Sequence, residues 1–156
     1  MRLWAVAVFI LGCSPMVPCD VPGSFDSIMA WHREPTIGVM EGSEELEPMV
    51  LQGIEDWGWG RYLGDCNDVD ICVRKGEMSS ETPYGLAKRK QGTLQCEIIM
   101  YVDWYRIAAH ELGHCYGLDH SEQDDSIMRA RYHQKMQVTE QDLDTLHAIN
   151  NQCLGF

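Results

Sequence analysis

No apolar stretch in this sequence is long enough to cross a bilayer as a helix, which takes about 20 residues. The longest, Leu3 to Leu11, gives way at once to Gly12-Cys13. Basic residues are also scarce: 12 stand against 24 acidic ones, for a formal net charge of -12. Such a surface repels phosphate backbones, so no nucleic-acid partner is expected. Internal repeats and low-complexity tracts are missing, which removes the collagen-like and coiled-coil classes. Histidine is absent between His32 and His110. What is present is 156 residues of ordinary composition, 45% of them hydrophobic, enough for one domain with a single sizeable core.

The first residues read as a targeting segment. Met1-Arg2 is a short basic start, and Leu3 to Leu11 suits a signal-peptide core. The run ends at Ile10-Leu11-Gly12-Cys13, which resembles the lipobox of bacterial lipoprotein signals, with Cys13 as the lipidated residue. Residues 1–13 are therefore expected to be a signal segment of the lipoprotein type, with plain secretion or an uncleaved anchor as alternatives. The protein is expected to be exported, and to meet a membrane only through that lipid anchor. Residues 14–35, spaced by Pro15, Pro18, Pro22 and Pro35, read as a tether and lead-in loop, and residues 36–156 as the folded domain. Of seven cysteines, setting Cys13 aside leaves six, an even set suited to disulfides in an oxidising compartment. Cys66 and Cys72 are the first candidate pair, because a short intervening loop closes easily. The other pairings stay open.

Along the chain, Thr36 to Met40 reads as a strand, and Glu44 to Leu63 as a helix ended by Gly58, Gly60 and Gly64. Gly64 to Gly76 is turn-rich and acidic, with a short apolar piece at Ile71 to Val73. Tyr84 to Lys88 and Thr93 to Val102 read as strands joined by a turn at Arg89-Lys90-Gln91-Gly92. Trp104 to Tyr116 reads as a helix stopped by Gly117. Thr139, with Asp142 three residues on, opens a final helix whose apolar face is Leu143, Leu146 and Ile149. The order gives an α+β fold in one domain.

The chemistry is concentrated in His110-Glu111-Leu112-Gly113-His114-Cys115-Tyr116-Gly117-Leu118-Asp119-His120. Residues four apart share a helix face, so His110 and His114 can aim nitrogens at one ion. Gly117 lets the chain leave the helix sharply, and His120 can then supply a third ligand. Three imidazoles leave a coordination position open, which marks a catalytic zinc site rather than a closed structural one. Glu111 sits one step round from His110, where a carboxylate can act as general base toward water. A chance match to this pattern is expected roughly once in 10⁵ chains of this length.

This motif resembles that of the metzincin zinc metallopeptidases, and its surroundings resemble the matrixin (matrix-metalloproteinase-like) branch. Ala108-Ala109 precedes the first histidine, Ser121 follows the third, and Ser126-Ile127-Met128 supplies a Met-turn. Val138-Thr139-Glu140-Gln141-Asp142-Leu143 is similar to the start of the matrixin C-terminal helix. The resemblance implies a twisted mixed sheet, an active-site helix and a small C-terminal subdomain ending in a helix. It also implies a zinc-dependent endopeptidase with one catalytic zinc on His110, His114 and His120, Glu111 as base, and Met128 as support beneath the metal. Tyr132 corresponds to the S1′ pocket wall. Leu86 and Ala87, after Gly85, correspond to the upper-rim strand that pairs with substrate, though a plain sheet strand reads equally well. Ile107 corresponds to a pocket-lining position, where core packing would also place an apolar residue. Protein or peptide is the expected substrate, and a monomer the expected state.

Three departures stand out. Lys88 replaces a histidine of the second, structural zinc site of vertebrate matrixins, so that zinc is expected to be absent. Ala130 stands where proline is usual, flanked by Arg129 and Arg131. No stretch is long enough for a typical pro-domain, and Cys19 reads as a disulfide partner sooner than as a zinc-blocking thiol. Asp65, Asn67, Asp68 and Asp70 form an oxygen-rich loop where calcium is conceivable, but their spacing matches no calcium-loop pattern and a solvated acidic turn is expected. The rival reading is a non-catalytic, zinc-containing surface lipoprotein that binds a protein partner. A third is hydrolysis of a non-peptide amide or ester.

Overall fold

The computed structural model describes residues 31, 33–80, 82–89 and 95–154, the last three as backbone only. Cys13, Cys19, the tether up to residue 30 and most of the expected turn at residues 90–92 lie outside the described residues.

The chain runs β1 (Thr36–Val39), α1 (Glu47–Trp57), β2 (Arg61–Gly64), β3 (Ile71–Lys75), β4 (Gly85–Arg89), β5 (Cys96–Met100), α2 (Tyr105–Tyr116) and α3 (Glu140–Leu154). The five strands form one mixed sheet in the order β2-β1-β3-β5-β4. β1, β2, β3 and β5 are parallel neighbours, and β4 lies antiparallel to β5 at one edge. The α+β class and the mixed sheet expected from the sequence are what the chain adopts.

All four residues of β1 are buried, so this strand shows an unbroken run rather than alternation, as parallel strands covered on both faces do. Ile37, Ile71, Val73 and Ile98 form the centre of the core. Truncating one of them, Ile98→Ala for example, would cost about 2–5 kcal/mol through lost burial and the cavity left behind.

The helix expected over Glu44–Leu63 divides in two. A 3-10 turn at Glu44–Leu46 leads into α1, which starts with Pro48 near its N-terminus and ends at Gly58. Gly58 takes the left-handed conformation (φ 60°), so the helix stops there and the chain is redirected into β2. Ile71 to Val73, read only as an apolar piece, is the start of β3. Arg89 does not open a turn. It closes β4, and its guanidinium donates to the Cys115 carbonyl at the end of α2. The packed chain also begins earlier than residue 36, because Trp31 is buried and its indole N–H donates to that same carbonyl at 2.8 Å.

Cys66 and Cys72 are bonded (S–S 2.06 Å), joining the acidic loop to β3. Cys96 and Cys115 are also bonded, tying the start of β5 to the last turn of α2. α1 packs across α2 with Gly53 at the crossing. A Cβ there would lie 3.0 Å from Leu112 Cδ1 and 3.2 Å from the Ala109 nitrogen, so only glycine allows this approach without displacement. Trp57 adds an indole N–H bond to the Ala109 carbonyl at 2.8 Å. Sheet, α1 and disulfide thus fix the helix that carries the motif.

Candidate active site

α2 presents His110 and His114 one turn apart, as the four-residue spacing requires. Gly117 ends the helix at φ 107°, and the chain then turns back so that His120 faces the other two rings. The candidate ligand atoms of His110, His114 and His120 all lie within 4.8 Å of one another, the one such cluster among the described residues. His120 is exposed, whereas the other two are partly enclosed.

The hydrogen bonds set the tautomers. His110 Nδ1 lies 2.6 Å from the Ile127 carbonyl and His114 Nδ1 lies 2.9 Å from the Leu118 carbonyl. A carbonyl only accepts, so each Nδ1 carries the proton and each Nε2 keeps its lone pair. The two Nε2 atoms are 3.0 Å apart. Lone pairs that close repel unless a cation lies between them. Protonation does not meet that need at neutral pH, because burial, with the His110 ring second, pushes His114 down to about 3. A metal cation therefore fits these residues.

Glu111 follows His110 on the same helix and is 5% exposed. Burial pushes its carboxyl up to about 7, offset in part by a hydrogen bond from the Ala87 N–H. β4 comes this near because residue 85 is glycine. A Cβ there would lie 2.6 Å from Glu111 Oε1 and 2.6 Å from Ile107 Cγ2.

Beneath the rings, Met128 is fully buried and packs against Gly113, where a Cβ would fall 2.3 Å from the methionine sulfur. The motif glycine thus makes room for the methionine. Ser126 Oγ accepts from the Met128 N–H at 2.9 Å and donates to Asp142 at 2.7 Å. Asp142 also accepts the N–H and hydroxyl of Thr139, both at 2.9 Å, and its own N–H donates to Thr139 Oγ1 at 3.2 Å. The capping box of α3 and the turn under the metal centre therefore share one buried carboxylate. Asp142 was legible as a cap, but its bond to Ser126 had no sequence signal.

Comparison with protein families adds the deciding observation: the family model described as Matrixin matches residues 28–151. The chain belongs to the matrixin family. No curated protein matches it. Matrixins are zinc-dependent metallopeptidases, and the three-histidine cluster is the group that such a zinc needs.

The matrixin cleft above this centre has a volume of about 860 Å³. His110, Glu111, His114 and His120 line it together with Leu86, Ala87, Ile107 and Tyr132, so the residues expected to contact substrate lie on one cavity. Tyr132 stacks on Trp104 (centroids 5.1 Å, 29°) and meets Tyr84 edge-on at 6.3 Å. Trp104 caps α2 and Tyr84 precedes β4, so this aromatic wall joins three parts of the chain. Arg131, noted in the sequence beside Ala130, also lines the cleft, as does Met136, which had no reading of its own there. A larger groove, about 1020 Å³, lies between α1 and the start of α2 and touches the cleft only at Tyr132. In the acidic loop, the Asp70 carboxylate is engaged by Arg33 at 2.6 Å and by the Thr36 N–H at 2.7 Å, while Asp65 accepts from the Asn67 N–H.

Proposed function

We propose that this matrixin is an endopeptidase that cleaves extended polypeptide segments, with Glu111 as general base and acid. The observation that carries this reading is a buried carboxylate next to three converging imidazoles, in a cleft walled by an edge strand and an aromatic pocket. Zinc held by His110, His114 and His120 would supply Lewis acidity toward water and the scissile carbonyl.

The chain's own groups account for the rest. The Ile127 and Leu118 carbonyls keep His110 and His114 in the tautomer whose Nε2 carries the lone pair. Burial raises the basicity of Glu111 toward neutral pH, where a base is strong enough to take a proton from the attacking water and acidic enough to return it to the leaving amine. Among the described residues β4 has no partner on its outer side, and an extended substrate can add there as a further strand. Ile107 and Met136, both buried, with Tyr132, give an apolar pocket for one substrate side chain.

A fluorogenic peptide library, assayed with and without a chelator, tests the proposal. Chelator-sensitive cleavage at internal bonds, mapped by product masses, is expected. Binding of peptides without cleavage would favour the non-catalytic reading, and turnover of simple esters or amides alone would favour the third.

A further inference from the structure

The cleft carries a charge pattern opposite to that of the chain. The lining residues 129–132 read Arg-Ala-Arg-Tyr, two basic residues and no acid in a protein of net charge -12. Several other cations are neutralised locally. Arg33 pairs with Asp70 at 2.6 Å, Arg74 with Glu97 at 2.7 Å, and Lys75 with Glu45 at 2.9 Å and Asp103 at 3.1 Å. Arg129 is likewise held by the Asp124 carboxylate and by the Glu122 carbonyl. Arg131 differs: it lines the cleft, is exposed, and makes no ion pair among the described residues. The one carboxylate among the described residues lining that cleft is the buried Glu111.

We propose that Arg131 is a specificity-determining residue that binds a substrate carboxylate, so the enzyme prefers polypeptides with Asp or Glu close to the scissile bond. The inference rests on the hydrolase reading above and names the substrate class for the same site. A guanidinium presents a planar fork of donors that matches both oxygens of a carboxylate, whereas an amide side chain offers one acceptor and no charge. Arg131 lines the same cavity as the three histidines, so the side chain it would meet belongs to a residue near the cleaved bond. The protein's overall negative charge opposes an acidic substrate, but only at long range. At physiological ionic strength, charges beyond about 8 Å are largely screened, while a contact pair in the cleft is screened less. The contact therefore decides the preference. An exposed ion pair of this kind corresponds to roughly a two- to five-fold effect.

The test scans Glu against Gln through three positions on each side of the cleaved bond. kcat/KM is read with the wild type, and peptide Kd with zinc-loaded Glu111→Ala protein. Glu is expected to be favoured over Gln at one position by roughly two- to five-fold in both readouts. Arg131→Met should bring that ratio to about one, and Arg131→Glu should invert it and favour Lys. A wild-type ratio of one at every position, or a ratio that survives in Arg131→Met, overturns the proposal. Because the Kd arm needs no turnover, a binding ratio without cleavage would leave this inference standing and remove the hydrolase reading alone.

Discussion

Replacing Glu111 by glutamine keeps the side chain's shape and removes its charge, and burial determines what this does to the metal-free domain. The carboxyl is 5% exposed, and burial pushes it up from 4.5 to about 7, with the Ala87 N–H pulling weakly the other way. A raised folded-state pKa means that the protonated acid is the form the fold favours. Its contribution is fully present below the unfolded value of 4.5 and is lost as pH rises through about 7. At about 1.4 kcal/mol per pKa unit, the loss comes to about 3 kcal/mol. Glutamine does not titrate, so Glu111→Gln should gain on the wild type by that amount between acid and alkaline pH. His114, pushed down to about 3, titrates alike in both proteins and cancels in the difference. Urea unfolding of both proteins after chelator treatment, with disulfides intact, measures this at several pH values from about 4 to about 9. The variant's advantage should grow by about 3 kcal/mol, mostly between pH 4.5 and about 7. A difference that stays constant with pH would refute the reasoning. The same substitution should abolish turnover, so the base would be kept at a cost in stability.

Other perturbations follow from the same geometry. His120→Ala removes one of three neutral imidazoles and should weaken zinc binding in a chelator competition; unchanged affinity would place the third ligand elsewhere. Ser126→Ala strands a buried Asp142 oxygen and the Met128 N–H and should cost about 1–3 kcal/mol, read as a lower denaturation midpoint; an unchanged midpoint would mean that water replaces the hydroxyl. If Cys13 is lipidated, Cys13→Ser should shift the protein from the detergent to the aqueous phase after expression in a bacterium, with peptidase activity retained. Equal partitioning of the two forms would leave simple secretion.

The site was legible in the sequence because its geometry is local. His110 and His114 need only helical spacing, Gly117 only a left-handed φ, and Thr139 and Asp142 a capping box. The fold was legible where one face alternates with another, as in α1 and α3. It was less so in β2 and β3, which are short and parallel and owe their pairing to neighbouring strands, β1 and, for β3, also β5, rather than to their own pattern. The expected helix was carried on to Leu63, past the Gly58 that ends α1, and so took in most of β2. Contacts distant in sequence left no local trace. Trp31 and Arg89 converge on the Cys115 carbonyl, and Ser126 reaches Asp142 on α3, through tertiary packing alone.

The central claim is that Glu111 does chemistry and does not hold the metal. Glu111→Ala protein, purified with its metal, should be analysed for zinc content and peptidase activity on the same sample. The account predicts wild-type zinc content and a loss of activity of about 10²–10⁴-fold. Zinc lost together with activity, or activity retained without the carboxylate, would contradict it.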